Sequence, residues 1–429
     1  MLRPYQVEGR RKIVESYNAG SRSICVVAPT GSGKTVLISD IARGHEAKGG
    51  SPLITVHRHP LIPQTIAKLK AAGVDNVSVI APGYTESPGA KVRIATIQSL
   101  LCRGELPDAS MLLMDEAHHY VADAWGAVAA KYAHALRIGF TATPERSDGT
   151  PLGDLFDSLV VIATIPELTA LGHLVPCDVI APPRQTRTLA WDPVDAWFEH
   201  AFNRPTVVFA GGCEDGKLLA DRFNGRGIAA GYVDGDTPAE ERDATLAAFA
   251  AGELRIVVNI FVLTEGWDCP SSEVCMIARG CSHAGTFLQM VGRVLRPFPG
   301  KDRALLLDLR GVVHEHGLPD ESRSFSLEGR AISGGEAPVK TCPVCSHVCA
   351  IACRVCPTCD AEFAFDTTED RCALVKITKA EVERGFFVSQ LEEATRRGYK
   401  PGFAAHRFQE KFGRFPAKYW REFVSRRAA

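Results

Sequence analysis

Short runs of consecutive apolar residues recur along the first third of the chain, at Ile24 to Ala28, Leu53 to Val56, Val92 to Ala95, Met111 to Met114 and Leu136 to Phe140. Stretches with helical spacing lie between them. Apolar side chains on successive positions suit a strand covered on both faces, and their alternation with helical segments predicts parallel strands joined by crossover helices. The rhythm restarts after Arg204 in "PTVVFA", "GIAAGYVDG", "LRIVVNI", "EVCMIARG" and "DRALLLDL", with a helix expected over Glu240 to Ala251. The predicted class is therefore α/β, with two tandem parallel-sheet domains over residues 1–165 and 204–312. Prolines punctuate 166–203, including "APPRQTRT", so this stretch reads as a connector. Beyond Leu309 the pattern changes. A polar, Gly-rich linker is expected over 313–340, a cysteine-rich module over 341–365, and a basic, aromatic, helical segment over 371–429.

Composition narrows the function classes. At 429 residues, with 45% hydrophobic and 23% charged side chains, the chain can bury two or three cores. The net charge of -1 exerts no global pull on nucleic acid or membrane, so any polyanion site must be local. No apolar run approaches the length of a membrane span, and "MLRPYQVEGR" has no signal-peptide core, so a reducing cytoplasm is the expected compartment. Of 14 cysteines, seven are scattered between Cys25 and Cys281, six crowd between Cys342 and Cys359, and Cys372 stands alone. The scattered ones suit a core and the crowded ones a ligand set.

"VVAPTGSGKT" places a Gly-rich turn between an apolar strand and a helix. Such a turn, Pro29 to Gly33 here, lets backbone N–H groups wrap phosphate oxygens at a helix N-terminus. Lys34 would then neutralise the β and γ phosphates and the hydroxyl of Thr35 would bind Mg²⁺. The pattern G-x-x-x-x-G-K-[ST] is met except that Ala28 holds its first position. The run "MLLMDEAHHY" supplies a partner: Asp115, at a strand end, would hold the metal's water shell, and Glu116 could align or deprotonate the attacking water. The adjacent His118 and His119 lack the i, i+4 spacing of a zinc protease, and an ordinary core or surface histidine is the simpler reading of His119.

In these residues the chain resembles the superfamily 2 helicases and translocases with a DEAH box, over roughly Leu2 to Leu309. "LRPYQ", with Arg3 and Gln6, looks like the adenine-reading Q motif. "APTGSGKT", with Pro29, Thr30, Gly31, Ser32, Gly33, Lys34 and Thr35, resembles motif I, and "VHRHPLIPQ" motif Ia. "ATIQSL" resembles motif Ib, "DEAH" at Asp115 to His118 motif II, and "GFTATP" motif III. In the second unit "VVFAGG" looks like motif IV, "LTEGWDCP" motif V and "QMVGRVLRP" motif VI. The resemblance implies two RecA-like domains with ATP between them. Gly266 and Asp268 would then help bind nucleotide, and Gln289, Arg293 and Arg296 would meet the γ phosphate, both arginines as fingers. Their i, i+3 spacing also suits an exposed basic helix face. His118, Thr141 and Thr143 would couple hydrolysis to strand movement. His57, Arg58, Thr96, Gln98 and Thr264 would touch a sugar-phosphate backbone, although Thr96 and Ser99 also suit helix capping.

"CPVC" and "CPTC" form C-x2-C-x10-C-x2-C, so Cys342, Cys345, Cys356 and Cys359 are expected to hold one structural Zn²⁺ in a zinc ribbon, with Cys349 and Cys353 as alternative ligands. Between Arg371 and Ala429 there are 14 basic against 6 acidic residues. Phe408 and Phe412, at i, i+4, suit a small helical core, with Lys400, Arg407, Lys411 and Arg414 available to grip phosphates. A zinc ribbon followed by this tail resembles the RadD-like DNA repair helicases of bacteria and phages. ATP, Mg²⁺ and Zn²⁺ are thus the expected cofactors. DNA is the expected partner, single-stranded, forked or branched, with RNA the alternative, a single-strand-binding protein a further candidate, and no membrane.

Overall fold

The computed structural model describes residues 2–121, 123–144, 152–328, 339–341, 348–350, 372–400, 402–417 and 420. Its first sheet has seven parallel strands: β1 (Ser23–Val27), β2 (Pro52–Val56), β3 (Val77–Ile80), β4 (Val92–Thr96), β5 (Met111–Asp115), β6 (Leu136–Thr141) and β7 (Ser158–Val161), ordered β3-β4-β2-β5-β6-β1-β7. Every residue of β1, β2 and β5 is buried, as runs covered by helices on both faces require. The second sheet contains β8 (Cys177–Ala181), β9 (Thr206–Ala210), β10 (Ala230–Val233), β11 (Ile256–Asn259), β12 (Val274–Ala278) and β13 (Ala304–Asp308). With a short C-terminal strand it is ordered β10-β11-β9-β12-β13-β8-β16, where β16 is Val375–Lys376. β14 (Val339–Thr341) and β15 (Val348–Ala350) pair antiparallel on their own. Each strand expected from the sequence is present, to within about two residues.

The boundaries depart from expectation in three places. The segment read as a connector, 166–203, supplies β8 and the helix Pro193–His200, whose Trp197 is fully buried in the second domain. The stretch read as the start of a linker folds back instead: Gly153 N–H donates to the Leu327 carbonyl at 2.8 Å, tying residue 327 to the first domain. The C-terminal segment is joined to the second domain through β16, antiparallel to β8. Its helices Lys379–Arg397 and Gly402–Phe412 enclose the small core expected around Phe408, with Phe387, Ala404, Phe412 and Trp420. The four zinc-ligand candidates Cys342, Cys345, Cys356 and Cys359 lie outside the described residues, as does Cys353.

In parallel sheets the carboxyl ends of strands meet at one edge, where chain reversals leave a crevice. In the first domain β1 delivers the Gly-rich turn there, β2 delivers His57, β4 ends at Thr96, β5 ends at Asp115 and β6 ends at Thr141. The second domain adds the loop after β11 and the helix Ala284–Gly292. No helix among the described residues is long and apolar enough to cross a membrane.

Candidate functional site

The turn after β1 leads into the helix Lys34–Glu46 through Gly33, whose φ of 77° is left-handed. A Cβ there would stand 2.7 Å from Gln6 Nε2, so glycine is required both by backbone and by space. Gln6 Nε2 donates to the Ser32 carbonyl at 3.0 Å and to that of Gly33 at 3.3 Å, and Tyr5 Oη donates to Ser32 at 2.6 Å. The N-terminal helix Pro4–Asn18 therefore braces the turn. Tyr5 was invisible as a site residue because a buried tyrosine has no pattern of its own.

Lys34 Nζ lies 3.4 Å from the Ala28 carbonyl and 3.7 Å from Glu116 Oε1. Glu116 follows β5 with φ 49°, and its N–H donates to Asp115 Oδ1 at 3.1 Å. Burial, followed by the Glu116 charge, pushes the Asp115 carboxyl up to about 6. Burial also works to raise Glu116, but Lys34 and His118 outweigh it, so that its net direction is downward. Two adjacent carboxylates are thus driven apart, Glu116 downward and Asp115 upward. Glu116 Oε2 is buried without a hydrogen-bond partner among the described residues.

The cavity above this turn, about 390 Å³, is lined from one side by Arg3, Gln6, Pro29, Thr30, Gly31, Gly33, Lys34, Thr35, Asp115 and Glu116. From the other side come Gly266, Asp268, Arg293 and Arg296. That size suits a nucleotide. Its chemistry suits one too: hard oxygen atoms on Thr35 and Asp115 that would suit Mg²⁺, a lysine, two arginines, and a carboxylate with one oxygen short of a hydrogen bond lining the same space. Arg293 is buried. Its Nε and Nη2 donate to the Thr264 carbonyl at 3.1 and 2.7 Å, and Nη1 donates to Trp267 at 2.5 Å. Arg296 pairs with Asp268, and burial lowers its guanidinium to about 10. Neither arginine belongs to an exposed basic helix face. Gln289 and Ser32 are buried but do not line the cavity.

Between the domains a second cluster forms on Glu265, which lies within the "LTEGWDCP" run. His57 Nε2 lies 2.9 Å from Glu265 Oε2, His119 Nε2 3.2 Å from the same oxygen, and His118 Nε2 3.5 Å from Oε1. Burial would raise this carboxyl, but hydrogen bonds from the three imidazoles hold it far below the usual carboxylate range. His119, expected as an ordinary core or surface histidine, is half-buried and satisfied by this bond. His118 Nδ1 also meets Thr141 Oγ1 at 3.1 Å, and Thr141 Oγ1 donates to the Thr143 carbonyl, so the three residues expected to couple hydrolysis to movement are in contact.

A groove of about 870 Å³ runs alongside, lined by His57, Arg58, Thr96, Gln98, Arg242 and Val262 among others. Thr96 does cap the short helix Ile97–Leu101, accepting from Ser99 N–H at 3.3 Å, while also lining the groove. Thr264 is turned inward and does not line it. In the tail, Lys411 Nζ donates to the carbonyls of His314 and Glu315, Arg407 pairs with Glu410, and Arg414 pairs with Glu383. Lys411 thus ties the tail to the second domain and Arg414 ties it to the helix Lys379–Arg397, whereas Arg407 pairs only along its own helix and Lys400 is exposed.

The family model described as "Type III restriction enzyme, res subunit" matches residues 1–146, and "Helicase conserved C-terminal domain" matches residues 191–297. The chain belongs to the superfamily 2 helicases. Its class is that of ATP-hydrolysing enzymes directed at nucleic acid. This superfamily 2 chain is 28% identical over 377 residues to the "51.5 kDa protein" of a Lactococcus phage, spanning 81% of the chain and 80% of that protein. It is 23% identical over 372 residues to "DNA 3'-5' translocase XPB2" of Sulfurisphaera tokodaii, 71% of the chain and 80% of the relative. With the ATP-dependent helicase IRC3 of Saccharomyces cerevisiae it shares 27% identity over 73% of the chain, but it spans only about half, 52%, of that relative's length. Among solved structures, the type ISP restriction-modification enzyme LlaBIII bound to DNA matches with a TM-score of 0.56 at 18% identity, over 72% of this chain and 27% of that one. Yeast Dbp5 bound to RNA and ADP BeF3 matches at 0.53 and 16%, over 75% and 93%. These two establish the fold.

Proposed function

We propose that this superfamily 2 chain couples ATP hydrolysis between its two domains to movement along DNA. The observation that carries the reading is a single cavity in which Lys34, Asp115 and Glu116 of the first domain face Arg293 and Arg296 of the second. Neither domain can complete such a site alone, so binding and turnover act on the angle between them.

Thr35 and Asp115 would hold Mg²⁺, which when bound neutralises charge on the β and γ phosphates. Lys34 contacts those phosphates. Glu116 orients the attacking water and accepts its proton, being ionised and short of a hydrogen-bond partner. Arg293 and Arg296 meet the charge that develops on the transferred phosphoryl group. His118 carries the change to Thr141 on one side and to Glu265 on the other. Glu265 borders the groove that also contains His57, Arg58, Thr96 and Gln98, where a sugar-phosphate backbone would lie.

DNA is favoured over RNA because relatives of this chain are described as a DNA translocase and DNA helicases. The cysteine pattern Cys342, Cys345, Cys356 and Cys359 would close a structural zinc site, extending the likeness to RadD-like enzymes with a DEAH box. The test is ATP hydrolysis by the purified chain with and without single-stranded, forked and duplex DNA and matched RNA, alongside strand displacement. Stimulation by DNA that Lys34→Ala abolishes is expected. Hydrolysis that survives Lys34→Ala would overturn the site, and stimulation by RNA alone would overturn the choice of polymer.

A further inference from the structure

The loop after β11 contains a tight turn in which the N–H of Val262 donates to the carbonyl of Ile260 at 2.8 Å, with Phe261 at its apex and φ 59°. A γ-turn with a positive central φ is the rare, strained form, and for a large aromatic side chain that backbone is an outlier which the surroundings must enforce. They do so here. Asn259 Nδ2 donates to the Val208 carbonyl of β9 at 2.8 Å while its Oδ1 accepts from Leu263 N–H at 3.2 Å. From the first domain, Arg58 Nη1 donates to the Val262 carbonyl at 3.1 Å.

The turn displays its aromatic ring instead of burying it. Phe261 is 45% exposed, and the guanidinium carbon of Arg279 sits 3.6 Å from the ring centroid. Arg279 Nε is fixed on the Gly280 carbonyl at 3.1 Å, and its buried Nη1 has no acceptor among the described residues. The ring therefore rests against the Arg279 guanidinium while the residue keeps nearly half its surface exposed. The turn and its arginine border two concavities. Val262 lines the interdomain groove, while Arg279 lines a groove of about 830 Å³ on the second domain together with Trp191, Gly211 and Arg222.

We propose that Phe261, stiffened by Arg279, is a stacking platform for an unpaired base where a strand passes from the interdomain groove onto the second domain. The occupant follows from chemistry: a planar, weakly polar ring suits a flat base, and flanking Arg58 and Arg279 suit an anionic backbone. Every base has a π face, so the platform would hold a strand without reading its sequence. This inference rests on the nucleic-acid reading of the groove and adds a residue outside its motifs.

The full chain can be irradiated with oligothymidylate carrying one 5-iodouracil, which couples to aromatic side chains stacked on it, and the linked peptide mapped by mass spectrometry. Linkage at Phe261 is expected. Phe261→Gly suits the left-handed backbone, so its melting temperature should not fall, yet it should lose the linkage and bind the oligonucleotide roughly tenfold more weakly. Phe261→Trp should keep both. If the wild type binds while Phe261→Gly binds equally well and the linkage maps elsewhere, the platform is overturned and the motor reading stands. Failure of the wild type to bind any oligonucleotide overturns the nucleic-acid reading, and the platform with it.

Discussion

The chemistry of the cleft rests on a few side chains whose ionisation is set by neighbours from other elements. Glu116 is ionised because Lys34 and His118 outweigh its burial. Glu116→Gln should therefore retain ATP binding, seen by equilibrium binding of a fluorescent nucleotide, while turnover falls about 10²- to 10⁴-fold, the usual worth of a general base. A residue outside every motif also matters. Lys301 is buried, and its Nζ donates to the carbonyls of Pro270 at 3.1 Å, Ser272 at 2.6 Å and Arg296 at 2.8 Å, so it fixes the loop that carries Arg296, proposed above to meet the γ phosphate. Burial lowers its ammonium to about 8 from an ordinary 10.5. Between those values the folded chain binds fewer protons here than the unfolded one, so this group's contribution to stability rises with pH. The neutral amine, however, has two hydrogens for three carbonyls. ATP turnover is expected to decline above about pH 8, and Lys301→Met, already slow, should lack that step when pH profiles of kcat are compared. Sequence reading found Lys34, Glu116, Arg293 and Arg296 because their neighbours in the chain mark them. Tyr5 and Lys301 act on backbone carbonyls that no side-chain pattern announces, and the histidine partners of Glu265 are remote in sequence, so their roles were not legible.

At the scale of elements, the contact between the helix Ala284–Gly292 and the Gly-rich turn decides whether the arginines reach the cleft. A Cβ on Gly292 would stand 2.6 Å from Thr30 Cβ. Gly292→Ala must push the two domains apart by part of an ångström. An overpacked contact costs about 1–3 kcal/mol, and a misplacement of that size can cost up to about 10²-fold in rate. Steady-state kinetics should accordingly show at least a tenfold loss of kcat, with the melting temperature little changed. Strand recognition followed the same physics. Continuous apolar runs such as "LITV" and "LLLM" announced buried parallel strands. β8, by contrast, is half-exposed in sequence "CDVIA" and follows a proline, and β16 is two residues long, so neither has a pattern apart from its pairing. The cysteine module is expected to bind zinc. A Cys342→Ser/Cys356→Ser double variant should lose about one equivalent by metal analysis, as a four-ligand site would. Retained stoichiometric zinc would point to Cys349 or Cys353.

For the whole molecule, the C-terminal segment is part of the second domain's architecture. Ile377 and Val382 are buried, β16 covers the edge of β8, and Gly385 sits against His314. Its positive charge invites a nucleic-acid role, but Lys411, Arg407 and Arg414 are engaged within the chain. Truncation after Asp370 should therefore lower the melting temperature by several degrees, since it bares a sheet edge and apolar surface worth about 1.5–3 kcal/mol per buried side chain. A loss of DNA affinity confined to low salt, with an unchanged melting temperature, would instead assign the segment to phosphate binding.

Hydrophobic patterning by itself determined that the chain makes two parallel-sheet domains, and motif spacing picked out the loops that line the cleft, because both are properties of contiguous residues. Tertiary structure decided how the cleft is finished: Arg293 seated on Thr264 and Trp267 within the second domain, three histidines of the first domain on Glu265 of the second, and Phe261 held outward on a strained turn. Those contacts join residues far apart in sequence. Their energies depend on burial and distance, and a linear sequence specifies these only after it has folded.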